Sequence, residues 1–454
     1  MKHTKLMKYI YTLAFLLTVS VVLAQSPASQ MLQEIAKAPS AERIQKDIEK
    51  LVGFGTRHTL SDTLSDTRGI GAARRWIKSE FEGISSGCGN CLEVFYHAAI
   101  EPKNDRRITR DTKIVNVVAI QRGSKYPNRY VIMSGDIDSR VSDPNNFTSD
   151  SPGANDNASG MAGTIEAARV LSKFKFPVSI VYVGLSGEEQ GLYGGKHLAR
   201  KAKEEGWEII GVINNDMIGN IHGIDGVIDN GSFRVFSEAM SMSLTDNEKR
   251  AMRFYGGEVD GPSRQLARYI DRITDEYMTN LDAIMIYRLD RFGRGGHHRP
   301  FNDEGFTGVR IMETHENYNR QHQDLREENG IEYGDVIDWV DFDYAAKLTA
   351  VNALTLASLA SAPEAPKNLS IGGAVQPSTE LRWDPSDDAN LMGYKVYWRK
   401  TTSPQWEHSR YIGKVNSYIL ENLVIDNYLF GVSSVAKNGA ESLVAFPYKL
   451  IPRD

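Results

Sequence analysis

Apolar residues fall into short blocks along most of the chain, and the spacing within the blocks alternates between two periods. Ile44, Ile48 and Leu51 recur at helical spacing among charges, which predicts a helix over residues 37–53. A second helix is predicted with Ile70, Ala73, Ile77 and Phe81 on one face. Arg57-His58-Thr59 and the Ser/Asp/Thr-rich segment up to Thr67 form a loop between them. Leu92–Phe95 and Ile114–Ile120 alternate or run apolar, as strands do, with a basic loop between. Tyr130–Met133, Ile180–Leu185 and Gly211–Ile213 are continuous apolar runs, the pattern of buried strands. Helices are predicted over 161–174, 194–205, 262–279 and 336–359. Short strands are predicted over 283–287 and 308–312. Residues 220–260 and 288–300 are expected to be loops, and Arg294-Gly-Gly-His-His-Arg-Pro-Phe301 reads as loop throughout. Alternating strands and helices give an α/β fold: a mixed, mostly parallel central sheet with helices on both faces.

The period changes at Ser361-Ala362-Pro363-Glu364-Ala365-Pro366, so residues 361–366 are assigned as a linker. Beyond it, residues 369–371, 380–383, 393–399, 417–420, 428–436 and the final segment suggest about six or seven short strands. This predicts a C-terminal all-β sandwich over 367–454, behind a first domain of residues 25–360. Pro363, Pro366, Trp383, Tyr394 and Tyr428 resemble the fibronectin type III pattern. The resemblance implies an accessory role, such as contact with a surface or polymer.

Composition adds limits. The 454 residues carry 53 basic and 58 acidic side chains, a formal charge of −5. That balance argues against nucleic acid or an anionic membrane as partner. Residues 1–24 read as a signal peptide: Lys2, Lys5 and Lys8, then an apolar run from Ile10 to Leu23, then small residues before Gln25. The mature protein is therefore expected to be exported, secreted or periplasmic, with no membrane insertion after cleavage. Cys88 and Cys91 are the only cysteines, and an exported setting favours a small disulfide between them.

The candidate chemistry lies where the apolar runs stop. Tyr130–Met133 leads to Asp136 and Asp138, then to Pro152-Gly-Ala-Asn-Asp156-Asn157. Ile180–Leu185 leads to Glu188 and Glu189, and Gly211–Ile213 leads to Asp216. Carboxylates gathered at the carboxyl edge of a sheet suggest a polyvalent cation site. Gly153-Ala-Asn-Asp-Asn-Ala-Ser-Gly160, Gly187-Glu-Glu-Gln-Gly191 and Asn215-Asp-Met-Ile-Gly219 resemble the co-catalytic di-zinc aminopeptidases. Glutamate carboxypeptidase and glutaminyl cyclase relatives belong to the same family, and the likeness covers residues 40–360.

The resemblance implies two divalent ions, zinc first and manganese as the alternative, and a peptide substrate. Asp156 would bridge the ions, Glu189 and His322 would complete one, and Asp216 the other. Glu188 would be the general base, taking a proton from a metal-bridged water and passing it to the leaving amine. One departure stands out. The family's His-x-Asp reads Asp136-Ile137-Asp138 here. Asp136 is then expected as an oxygen ligand, and Asp138 has no ring to orient. His298 is expected to face substrate or support the site, and Tyr318 is a candidate oxyanion donor. Besides the aminopeptidase, three alternatives are open: a glutaminyl cyclase with a single zinc, a glutamate-type carboxypeptidase using Arg291, Arg294 and Arg299, and a non-catalytic binding protein with a degenerate site.

Overall fold

The computed structural model describes residues 26–452 except Asp105, so the expected signal segment lies outside the described residues. The central strands are β1 (Leu92–Glu101), β2 (Thr112–Gln121), β3 (Tyr126–Asp136), β4 (Val178–Leu185), β5 (Glu208–Asn215), β6 (Ser232–Ser237), β7 (Asp282–Ile286) and β8 (Gly308–Glu313). They form one eight-stranded sheet in the order β1-β2-β4-β3-β5-β8-β6-β7. The middle four, β4, β3, β5 and β8, are mutually parallel. β2 and β1 extend one side antiparallel, and β6 joins β8 antiparallel on the other.

The middle strands are apolar on both faces, which is why they read as runs rather than alternations. Val131, Met133, Ile180, Tyr182 and Ile213 point into one core. That core is closed by α1 (Pro27–Ala36), α2 (Ala41–Val52), α3 (Gly69–Gly87), α4 (Gly160–Leu171), α8 (Pro262–Tyr277) and α10 (Phe342–Ser361). Ile132, Val181, Val183 and Val212 point the other way, against Leu198 of α6 (Tyr193–Glu204) and Phe301 of α9 (His298–Asp303). A one-turn helix, α5 (Glu188–Gly191), follows β4, and α7 (Asp246–Tyr255) precedes α8. Cys88 and Cys91 are joined, as expected. No described helix is long and apolar enough to cross a membrane.

Several elements differ from the sequence reading. Residues 220–260 are not loop throughout: β6 and α7 lie within them, and Thr245 caps α7 through a capping box with Glu248. The expected loop at 294–301 turns helical at His298. The long helix begins at Phe342, where Asp341 accepts from Tyr344 N at 2.7 Å, and not at 336.

A hairpin of β9 (Arg326–Glu328) and β10 (Ile331–Tyr333) precedes α10, and two further sheets come after it. Their strands are β11 (Ser370–Gly372), β12 (Thr379–Arg382), β13 (Leu391–Lys400), β14 (His408–Gly413), β15 (Ser417–Leu420), β16 (Tyr428–Ala436) and β17 (Lys449–Leu450). The orders are β15-β12-β11-β17 and β14-β13-β16. Leu381, Trp383, Tyr394, Val396 and Phe430 fill the space between them. These sheets are fastened to α8 by buried charge. Asp260 receives Arg268 Nη1 at 2.7 Å and Arg399 Nη2 at 2.8 Å, all three being essentially free of solvent. Tyr269 Oη donates to the Glu441 carbonyl at 2.9 Å beside them.

Candidate metal centre

β4 and β5 lie on opposite sides of β3, so the loops leaving these strands diverge above β3 and open a crevice at the carboxyl edge. Each strand delivers an acid there. Asp136 ends β3, Asp216 follows β5, and Glu188 and Glu189 begin α5 just beyond β4. Gly187 makes that last turn possible: its φ of +76° is strained for any residue with a side chain. Asp138 fixes the start of α5. Its carboxylate oxygens accept from Glu188 N and Glu189 N, both at 3.1 Å, and from Thr59 Oγ1 at 2.9 Å. With no ring to orient, Asp138 instead holds the backbone of the two glutamates.

Asp156 lies in a buried, kinked segment, Ala154–Ser159, with non-helical backbone at Asp156 and Asn157, that runs directly into α4. Glycine at 160 lets this turn sit against β5, since a Cβ there would come within 2.3 Å of the Asn215 carbonyl. Asp335 holds the turn from outside, accepting from Asn155 N at 2.8 Å and Asp156 N at 2.7 Å. His322 comes from the loop after β8 with φ of +54°, a conformation that non-glycine residues keep only where the surroundings impose it.

Three of the expected ligands converge. His322 Nε2 lies 2.8 Å from Asp156 Oδ2 and 2.9 Å from Glu189 Oε1, and one donor atom from each fits within 4.8 Å of the others. Arg140 braces the group, donating to Glu189 Oε2 at 2.8 Å and lying 2.7 Å from His322 Nδ1. Burial alone would depress the imidazole, but Glu189 and Asp156 hold it up at about 9. Burial would raise both carboxyls, and the His322 charge pulls each below its ordinary value. Glu188 goes the other way: burial, then the charges of Asp216 and Glu189, push it well up. Two oxygens and one imidazole nitrogen, drawn together, fit a divalent ion of the zinc type.

Asp136 and Asp216 do not join this cluster. Asp136 Oδ1 lies 2.5 Å from His297 Nδ1, and its Oδ2 accepts from Asn157 Nδ2 at 2.7 Å. Asp216 Oδ2 sits 2.9 Å from Nη2 of Arg310, whose side chain is fully buried. The two carboxylates assigned to a second ion thus each lie against a side chain of the protein.

The model of Peptidase family M28 matches residues 116–341. A probable zinc metalloprotease of Pyrenophora tritici-repentis is 40% identical over 433 residues, 95% of this chain and 89% of its own length. The chain belongs to peptidase family M28. A probable zinc metalloprotease of Leptosphaeria maculans is also 40% identical, over 94% of this chain and 99% of that one. Among solved structures, the LapA aminopeptidase of Legionella pneumophila aligns with a TM-score of 0.52 at 19% identity, covering 74% of this chain and 75% of that one, a likeness of fold.

Within this M28 chain the remaining histidines sort by contact. His298 does not face substrate: it is buried and donates through Nε2 to the Leu289 carbonyl at 2.7 Å, fixing the loop before α9. His58 is buried against the Pro144 carbonyl, and His315 pairs with Asp225 at 2.7 Å. Tyr318 is exposed. Arg291 and Arg294 both pair with Glu316, at 2.9 and 3.1 Å, and are not free for a substrate carboxylate. Sequence reasoning missed Asp335, Arg140, His297 and Arg310. Arg310 alone left a signal, a lone charge within the apolar run Val309–Met312.

Proposed function

We propose that this peptidase is an exported, zinc-dependent aminopeptidase that removes N-terminal residues from peptides. The observation that carries the reading is the Asp156–Glu189–His322 triangle with Glu188 beside it, under a crevice at the sheet's carboxyl edge. The relatives named zinc metalloproteases support zinc as the ion. A divalent ion held by the three side chains would supply Lewis acidity, polarising the scissile carbonyl and acidifying a water. Glu188, held in place through its backbone by Asp138, takes the proton from that water and hands it to the leaving amine. Arg140 keeps Glu189 and His322 in register, and Asp335 keeps Asp156 there.

The acid surplus supports N-terminal specificity. Half-buried Glu188, a carboxylate of this edge not paired with a cation among the described residues, would be the partner for a substrate α-ammonium. Of the three arginines a carboxypeptidase would use, Arg291 and Arg294 are paired with Glu316, and Arg299 donates to the Arg294 carbonyl. A glutaminyl cyclase reading is favoured by one feature, a ligand cluster sized for a single ion. Residues 1–24 would direct export. Residues 367–454, after a 361–366 linker, would form a fibronectin type III-like accessory sandwich that contacts a surface or polymer.

The test is hydrolysis of aminoacyl nitroanilides beside their N-acetylated counterparts and N-terminal glutaminyl peptides. Cleavage of free-amine substrates only, lost with 1,10-phenanthroline and restored by zinc, is the expected result. Glu188→Gln should retain zinc and lose about 10²–10⁴-fold in kcat. Equal cleavage of acetylated substrates would refute the aminopeptidase, and pyroglutamate formation without hydrolysis would make it a cyclase.

A further inference from the structure

β8 carries one cation into the apolar middle of the sheet. The Arg310 side chain is fully buried and is held at every donor position but one. Its Nε donates to the Asp216 carbonyl at 2.5 Å. Its Nη1 donates to Asp290 at 3.0 and 3.2 Å and to the Gly295 carbonyl at 3.1 Å. Nη2 is the exception. It lies 2.9 Å from Asp216 Oδ2 but out of line for a hydrogen bond, so its protons have no aligned acceptor in the protein.

A guanidinium keeps its charge under all ordinary conditions. The Asp216 end of the crevice therefore already contains a cation, set against the carboxylate that a second ion would need. Asp136, the other carboxylate assigned to that ion, has one oxygen on His297 and one on Asn157. The Asp156–Glu189–His322 triangle also has an arginine beside it, but Arg140 takes the outer atoms, Glu189 Oε2 and His322 Nδ1, and leaves Glu189 Oε1, Asp156 Oδ2 and His322 Nε2 facing one another.

We propose that Arg310 replaces a second metal ion, so that one divalent ion binds at Asp156, Glu189 and His322 while the buried guanidinium supplies a fixed positive charge beside Asp216. The proposal rests on the metal-dependent reading of the site. It makes Arg310 a positioning residue that balances the buried carboxylates permanently, where a bound ion would do so only while bound. It also accounts for an aspartate at 136, because a position that receives no ion has no use for an imidazole ligand. Asp136 serves instead as acceptor for the ring of His297.

The experiment is zinc titration of the chelator-stripped mature chain by calorimetry, with elemental analysis of the same samples and a thermal melt to confirm folding. Wild type should bind one zinc. His322→Ala should bind none, and Asp216→Asn should still bind one. Asp136→His alone should remain at one, because the guanidinium still excludes the ion. Asp136→His with Arg310→Met should rise to two. Two zinc ions in wild type, with Asp216→Asn falling to one, would overturn the proposal. So would two in Asp136→His alone, or a folded double variant that stays at one. If the double variant does not fold, the wild-type and Asp136→His counts decide the question. Failure of wild type to bind any zinc would instead sink the metal-dependent reading, and this proposal with it.

Discussion

Asp138→Asn should separate a backbone role from a metal role. The aspartate accepts two backbone N–H groups, from Glu188 and Glu189, one on each carboxylate oxygen at 3.1 Å. Asparagine keeps the shape but offers one oxygen, so one of these buried N–H groups meets an NH₂ instead. Leaving a buried donor unpaired costs about 1–3 kcal/mol, and converting the surviving bond from charged to neutral costs about 1 kcal/mol more. The sum, about 3 kcal/mol, corresponds to a fall of about 4 °C in Tm for a domain of about 330 residues. Because α5 has four residues and begins at Glu188, its loosening moves the base. A displacement of about 1 Å at a reacting group costs about 10²-fold in rate. Zinc should still bind, with affinity weakened only as far as the loosened backbone displaces Glu189, since Asp138 contributes no donor atom to the ligand triangle. The assays are a thermal melt, elemental zinc and kcat/KM on one preparation. An unchanged Tm with zinc lost would show that Asp138 acts at the ion and that its assignment to the backbone is wrong.

Three further outcomes are expected. Burial pushes Glu238 up to about 7, against hydrogen bonds from Asn302 and Ser263, so the folded state holds its proton more tightly than the unfolded chain. Its stabilising contribution is complete below about pH 4.5 and lost as pH rises through 7, so Glu238→Gln should match wild type at low pH and exceed it by about 2 kcal/mol at pH 8 in urea titrations; equal stability at both pH values would exclude the effect. Arg399→Leu should destabilise by about 2 kcal/mol through the lost charge-assisted hydrogen bonds to Asp260, which keeps Arg268 as its balancing cation; a change in the urea midpoint worth less than about 1 kcal/mol would show that Arg268 alone satisfies the carboxylate. Replacing Cys88 and Cys91 by serine opens a loop of sequence separation 3 and should cost about 2 kcal/mol without changing kcat/KM.

The catalytic edge was legible because its grammar is local. A fully buried parallel strand must be apolar along its whole length, so Tyr130–Met133 and Ile180–Leu185 stand out, and the acids that end them stand out more. Asp156 and Glu189 were singled out in motifs that follow those strands, and His322 in the loop after the 308–312 strand. What stayed hidden is what sequence neighbours cannot show. Asp335 holds Asp156 across 179 positions, and Arg140 reaches His322 across 182. Neither spacing has a period. α1 leaves little trace because it is one short amphipathic helix near an apolar leader. α9 is masked because two histidines and a proline read as loop, although proline early in a helix is well tolerated. β14, His408–Gly413, is exposed along most of its length and has no alternation to betray it. Asp136 was the instructive case: its identity marked a departure at the metal edge, but only the structure shows that His297 is its partner.

Asp260 bears on how the chain is made. It pairs with Arg399, 139 residues later, and the pair is sealed from water. At about 5–20 residues per second, a ribosome needs about 10–30 s to cover that distance. Until Arg399 arrives, Asp260 has Arg268 as its one cation, and the surface that the last strands cover stays open to water. The C-terminal sheets are thus the final step in maturing the enzyme as well as an appendage to it. A chain without them would expose the Asp260–Arg268 pair and the face of α8 beside it to water.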